Sequence, residues 1–239
     1  MREISSASNP QFKTWRSLLN SNGIKSEGLF LLSGSKLVRE FLKSPNFEIA
    51  AELVPQDSVP LQTQAPAYQL SNPLFKELDV IGTHSNVLVL KTNELPVSSA
   101  QDKVSGLEVI APVGDPGNLG ALIRTCVAFG VSKIHLTQES SNPYHPKCVK
   151  ASAGALLKAP LFKSGPLTSW DHETVWALDA KGESIKTVSK PQNARILVGE
   201  EGPGLPNLRF VKWISIPTEN VESLNATVAA SLVIYALKN

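Results

Sequence analysis

Two loops near the carboxyl end constrain this chain more than any other feature of it. ILVGEEGPGLP (Ile196 to Pro206) and, after a further short strand, IPTENVESLNATVAASLVIYAL (Ile216 to Leu237) each leave an apolar run and break into Gly, Pro and polar residues. Ligands of α/β sheets bind at the carboxyl ends of strands, so two such loops mark a site there. The closing helix, from about Ser223 to Leu237, carries Leu224, Val228, Ala229, Leu232, Val233, Tyr235 and Ala236 all round its circumference. A helix of that kind is buried in a core or against another subunit.

The chain has 239 residues, 42% of them hydrophobic and 18% charged, which is the balance of a globular protein of one or two domains. Neither a transmembrane run nor the apolar stretch of a signal peptide is present, so the expected location is the cytoplasm. Cys126 and Cys148 form no C-x-x-C pair, and His84, His135, His145 and His172 are scattered. Disulfide scaffold and zinc site are both unsupported, and a metal-free mechanism is the default. Charge is uneven: residues 1–45 hold seven Lys/Arg against three acids, whereas residues 46–100 hold two against six. A basic amino-terminal part is either a solvated helix surface or a face that tracks phosphates.

Apolar spacing predicts a helix over residues 9–20, a buried strand at Leu29 to Leu32 and a second helix carrying Leu37, Val38, Phe41 and Leu42. Strands near 48–54 and 87–90 with a helix over 72–78 complete a small α/β unit. Residues 93–106 lose apolar periodicity and gather Pro, Ser and charges, as linkers do. The expected division is therefore 1–92, a linker at 93–106, and a second domain over 107–239. In that domain an apolar strand from Leu107 leads into Asp115-Pro116-Gly117-Asn118, a turn and helix start. The helix buries Leu119, Leu122, Ile123, Cys126 and Val127, and Arg124 lies roughly 130° from the centre of that stripe. Further strands are expected at 134–137, 174–178, 195–198 and 213–216.

DPGNLGALIRTCVAFGV (Asp115 to Val131), ILVGEEGPGLP and SIPTENVESLNATVAA, in that order and spacing, resemble the three signature motifs of the SpoU/TrmH-type RNA ribose 2′-O-methyltransferases. The connector NPYHPKCVKASAGALLKAPLF is similar to the stretch those enzymes place between their first two motifs. Residues 1–90 resemble, more loosely, the substrate-recognition domain of the ribosomal RNA members, although Ser33 stands where those members usually carry an acid. The resemblance implies an α/β fold: a parallel sheet with a carboxyl-terminal trefoil knot, preceded by a smaller α/β domain. It also implies S-adenosylmethionine as methyl donor, RNA as substrate and a homodimer formed through the catalytic domain.

Residue by residue, the resemblance places Arg124 at the target hydroxyl, with Asn118, Glu201, Ser223 and Asn225 as its catalytic companions. Leu197, Gly199, Gly202, Gly204, Ile216, Leu224 and Asn225 would hold the donor, largely through backbone groups. Local readings stand beside these: Asn118 and Ser223 each suit a helix cap, Glu201 a solvated loop, and Arg124 a surface ion pair. Lys13, Arg16, Lys36, Arg39, Lys147 and Lys150 are the basic residues expected to follow the RNA backbone. Ribosomal RNA is the favoured substrate because of the extra amino-terminal domain. Transfer RNA, a non-catalytic ribosome-associated factor and a nucleotide-dependent oxidoreductase are the alternatives, the last weakened because Gly114, Gly117 and Gly120 do not form G-x-G-x-x-G.

Overall fold

The computed structural model describes residues 1–239 except 190, 200–204, 207, 222, 223 and 239. In chain order the first elements are β1 (Arg2–Ile4), α1 (Pro10–Ser17), α2 (Ser21–Glu27), β2 (Leu29–Leu32), α3 (Ser35–Lys43), β3 (Ile49–Pro55), β4 (Ala67–Leu70), α4 (Asn72–Leu78) and β5 (Val87–Lys91). There follow β6 (Leu107–Ile110), α5 (Pro116–Ala128), β7 (Lys133–Leu136), α6 (Pro146–Ser152), β8 (Leu161–Lys163), β9 (Val175–Ser184), β10 (Ala194–Leu197), β11 (Lys212–Ser215) and α7 (Ala226–Lys238). No helix among the described residues is long and apolar enough to cross a membrane.

Two compact units emerge: residues 1–94 with 142–157, and residues 95–141 with 158–239. The first holds a five-stranded mixed sheet of order β1-β4-β3-β5-β2, in which β5 runs antiparallel to both β2 and β3. The helix expected over 9–20 is α1, which stops at Ser17, and a second helix that the apolar spacing did not show, α2, follows it at Ser21–Glu27. Asn9 caps α1 by accepting from the Gln11 and Phe12 amides, and Asn20 caps α2 by accepting from the Gly23 amide at 3.1 Å. A Cβ on Gly23 would lie 2.1 Å from the Ser17 carbonyl oxygen, so only glycine permits so tight a corner. Residues 142–157 belong to this unit because Tyr144 stacks on Phe30 (4.8 Å between ring centres) and α6 packs on β2. The sequence presents that stretch as a loop of the second half. Its helical start is fixed by Pro146 and by His145 Nδ1 accepting from the Lys147 amide.

The second unit is built on a six-stranded, wholly parallel sheet of order β11-β9-β10-β6-β7-β8. Its central strands are buried on both faces, as parallel strands are. Residues 95–106, linker-like by composition, are tied to this sheet: the Ser98 amide donates to the Lys163 carbonyl and the Lys163 amide to the Pro96 carbonyl. From the β11 edge the chain returns to the middle, where α7 packs on α5 and β6. Thr227, Ala230, Val233 and Ile234 are buried there, while Val228, Leu232 and Tyr235 remain about half exposed on the opposite side. The loops through which a knotted passage would run include 200–204, 222 and 223, outside the described residues.

Candidate active site

The carboxyl ends of β6 and β10 lie side by side, with Leu197 in register with Ile110 and the Val198 amide donating to the Ile110 carbonyl at 3.1 Å. Each strand then opens one of the motif loops. After β6, Asp115 caps α5 by accepting from the Asn118 amide at 2.8 Å, with Pro116 filling the first helical position. The cap is thus Asp115, and the side chain of Asn118 is not used for that purpose. Arg124 follows on the exposed side of α5, off the stripe of Leu119, Leu122, Ile123 and Cys126. It has no carboxylate partner among the described residues.

The third motif meets the first directly. Asn225 caps α7, its Oδ1 accepting from the Thr227 and Val228 amides at 3.0 and 3.2 Å. The Thr227 hydroxyl donates to the Asn118 carbonyl at 3.4 Å, a long bond, and one helical turn on Thr125 and Ser231 share a hydroxyl bond of 3.0 Å. Those hydroxyls lace α7 to α5 immediately beside Arg124. Neither threonine nor Ser231 stood out in the sequence, because hydroxyls inside apolar helices look like filler until the partner helix is known.

After β10, Gly199 is half-buried, and a Cβ there would meet Leu205 Cγ at 3.1 Å, so the Leu205 side chain packs against a position that glycine keeps open. Ile216, just past β11, and Leu224, just before α7, are half-buried. Glu201, Gly202, Gly204 and Ser223 fall outside the described residues.

The six basic residues singled out in the sequence all belong to the first unit, Lys147 and Lys150 included, and all are exposed. Lys13 and Arg16 lie on α1, where Arg16 is 3.9 Å from Glu77; Lys36 and Arg39 lie on α3, where Lys36 is 4.0 Å from Glu40. Lys147 and Lys150 stand on α6 rather than on a loop. Exposed pairs at such distances hold their cations weakly and leave them available to phosphate.

Between β6, β7 and β10 lies a cluster with no counterpart among the residues selected from the sequence. Glu108 on β6 is fully buried and accepts from Arg195 Nε on β10 (2.7 Å) and from the Ser105 amide (3.1 Å); its second oxygen also faces His135 Nε2 at 3.0 Å. Arg195, equally buried, donates to the Ala100 and Asp102 carbonyls at 2.6 Å each and sits 5.3 Å from the Trp170 ring. Burial alone would raise the Glu108 pKa, but the bonds from His135, Arg195 and the Ser105 amide outweigh it and bring it down to about 2. The cluster clamps residues 98–105 and the strand pair β6–β10 together, and so fixes where the two motif loops begin.

Comparison with known proteins bears on both fold and chemistry. Residues 108–235 match the model of the SpoU rRNA Methylase family. A protein of Syntrophobacter fumaroxidans named ribosomal RNA small subunit methyltransferase G 2 is 37% identical over 98% of this chain, which spans only about half (49%) of that protein. The Bacillus subtilis 23S rRNA (guanosine(2553)-2′-O)-methyltransferase RlmP is 26% identical over the full length of both chains. In three dimensions the chain superimposes on the AdoMet-bound rRNA methyltransferase of Sinorhizobium meliloti with a TM-score of 0.80, over 99% of this chain and 97% of that one at 22% identity. That likeness shows the fold, a parallel α/β sheet preceded by a smaller domain, as the motifs imply.

Proposed function

This chain belongs to the SpoU rRNA methylase family, and from that premise we propose that it transfers a methyl group from S-adenosylmethionine to a ribose 2′-hydroxyl of RNA, with ribosomal RNA as substrate. The observation that carries the proposal is the hydroxyl lacing of α7 to α5, which brings the first and third motifs together beside Arg124. Bound at the ends of β10 and β11, the donor would supply an electrophilic methyl group. Gly199, Leu197, Ile216 and Leu224 would hold it, and Asn225 would fix the loop above it through its cap on α7. Glu201, Gly202, Gly204 and Ser223 are proposed in the same roles that the motifs imply.

A 2′-hydroxyl is a poor nucleophile at neutral pH, so the protein must align it, let its proton leave and stabilise the growing negative charge. The Arg124 guanidinium is very hard to deprotonate, which suits it to the last task and to gripping the adjoining phosphate. Lys13, Arg16, Lys36, Arg39, Lys147 and Lys150 would lead the RNA backbone across the first unit. Purified protein given methyl-labelled donor and RNA from a strain lacking the gene should place label on ribose, in the ribosomal fraction. Label on a base, or none on any RNA, would overturn the proposal, and label confined to transfer RNA would correct the substrate.

The same reading makes the enzyme a cytoplasmic homodimer. Val228, Leu232 and Tyr235, spaced four and three residues apart, form an apolar stripe along α7 that stays about half exposed, extended by Phe129 packed edge-on against Tyr235 at 5.6 Å. Light scattering should give a mass near twice 25.7 kDa. Leu232→Asp should weaken self-association about 100-fold, since losing a buried leucine costs about 2–3 kcal/mol. A variant that remains dimeric at nanomolar concentration would show that α7 is not the interface.

A further inference from the structure

Helices α5 and α7 of the second unit meet along a seam whose contacts climb both helices together. The Thr227 hydroxyl donates to the Asn118 carbonyl (3.4 Å), Thr125 meets Ser231 (3.0 Å), Phe129 lies edge-on to Tyr235 (5.6 Å), and Lys238 Nζ donates to the Gly130 carbonyl (3.1 Å). The helices therefore run parallel. Most of this seam tolerates sliding. A long, flexible lysine and a half-exposed ring can follow a displaced neighbour, and the buried Leu122, Ala230 and Ile234 gain from burial without regard to direction. Hydrogen bonds are directional, so the register rests on the hydroxyls.

A proton count shows which hydroxyl bond joins the helices. Ser231 Oγ donates its one proton to the Thr227 carbonyl at 2.7 Å, within α7. Thr125 Oγ1 lies 3.2 Å from the Ala121 carbonyl oxygen and 3.0 Å from Ser231 Oγ. With the Ser231 proton committed to its own helix, the bond between the helices needs the Thr125 proton, donated to Ser231 Oγ. The pair thus has one direction, Thr125 as donor and Ser231 as acceptor. A slide of one turn, about 5.4 Å, would forfeit it and leave both hydroxyls bonded only to the backbones of their own helices.

Arg124 precedes Thr125 and stands about 100° from it around α5, on the exposed flank of the seam. The loops assigned to the donor are attached elsewhere, to β10, β11 and the start of α7. Where Arg124 points relative to the donor therefore depends on how α5 is keyed to α7. We propose that Thr125 and Ser231 are positioning residues, whose hydroxyl bond holds α5 in the register that aims the Arg124 guanidinium at the target ribose. This rests on the reading of the chain as an RNA 2′-O-methyltransferase in which Arg124 stabilises the developing charge. A displacement of about 1 Å at a reacting centre costs about 100-fold in rate, whereas donor binding, made by other elements, does not depend on the key.

Thr125→Val keeps the branched shape and removes the donor, and Ser231→Ala removes the acceptor. Each should lower the single-turnover rate of methyl transfer by about tenfold or more, with calorimetric affinity for S-adenosylmethionine within about twofold of wild type and Tm lowered by less than about 4 °C. Thr125→Ser, which restores the hydroxyl, should recover the rate. The Arg124→Ala background separates positioning from a merely structural role. If the pair acts through Arg124, adding Thr125→Val to Arg124→Ala should cost less than about a further twofold, whereas a structural role costs the same factor in both backgrounds. Wild-type turnover in Thr125→Val and Ser231→Ala, or equal factors with and without Arg124, would overturn the proposal while leaving methylation intact. A wild-type protein that transfers no methyl group to RNA would instead sink the functional reading, and this role with it.

Discussion

Arg124→Ala is expected to lower the rate of methyl transfer by about 100- to 1000-fold, the usual effect of removing one group that stabilises developing oxyanion charge. The structure makes this a clean test. Arg124 is exposed, lies off the buried stripe of α5 and has no carboxylate partner among the described residues, so its loss should change stability by no more than about 0.5 kcal/mol. Affinity for S-adenosylmethionine should be retained, because the residues proposed to hold the donor lie on other elements. Arg124→Lys separates the two parts of the role: the positive charge remains but the planar fork is lost. If charge stabilisation dominates, lysine should recover most of the lost rate; if bidentate grip of a phosphate dominates, lysine should behave like alanine. Single-turnover transfer of labelled methyl, paired with calorimetric titration of the donor, would measure both. Wild-type turnover in Arg124→Ala would remove the residue from the mechanism.

The sequence made the repeating elements legible and hid their associations. The strand at Leu29–Leu32 and the helix at Asn72–Leu78 were readable because apolar runs and periodic stripes record local geometry. The exposed face of Arg124 followed from the same periodicity. Short edge elements were not readable: β1 and β8 have three residues each, too few for a pattern to form. Nor was the placement of residues 142–157, since nothing local says that Tyr144 will find Phe30. Ser33 gives a further instance. The acid expected before Gly34 is absent, yet a carboxylate is present in the fold, because the buried Asp79 accepts from the Ser33 hydroxyl at 2.6 Å. Asp79 also accepts from the Gly82 and His84 amides, and so orders the loop that ends α4. The candidate site was legible as three motifs, whereas the hydroxyls that join them emerge only when α7 meets α5.

Glu108, Arg195 and His135 illustrate the limit most sharply, because each interrupts an apolar strand and invites dismissal as an irregularity. Buried charges in neighbouring strands are costly unless paired, and here the pairing spans 87 residues of sequence. Glu108→Gln keeps the shape but leaves the Arg195 guanidinium buried without a counter-charge. It should destabilise the second unit by about 3–5 kcal/mol, lowering Tm on the order of 10 °C. The pH dependence distinguishes this from a packing defect. Because the folded-state pKa of Glu108 is depressed to about 2 from an ordinary 4.5, its stabilising contribution is fully present above about pH 5 and is lost as pH falls toward 2. The stability gap between wild type and Glu108→Gln should therefore stay constant from pH 7 to 5 and narrow steadily by pH 3, as read from urea midpoints. A gap at pH 3 equal to that at pH 7 would mean that the carboxylate charge is not what holds β6 to β10, and the clamp under the two motif loops would have to be assigned to packing on Trp170 instead.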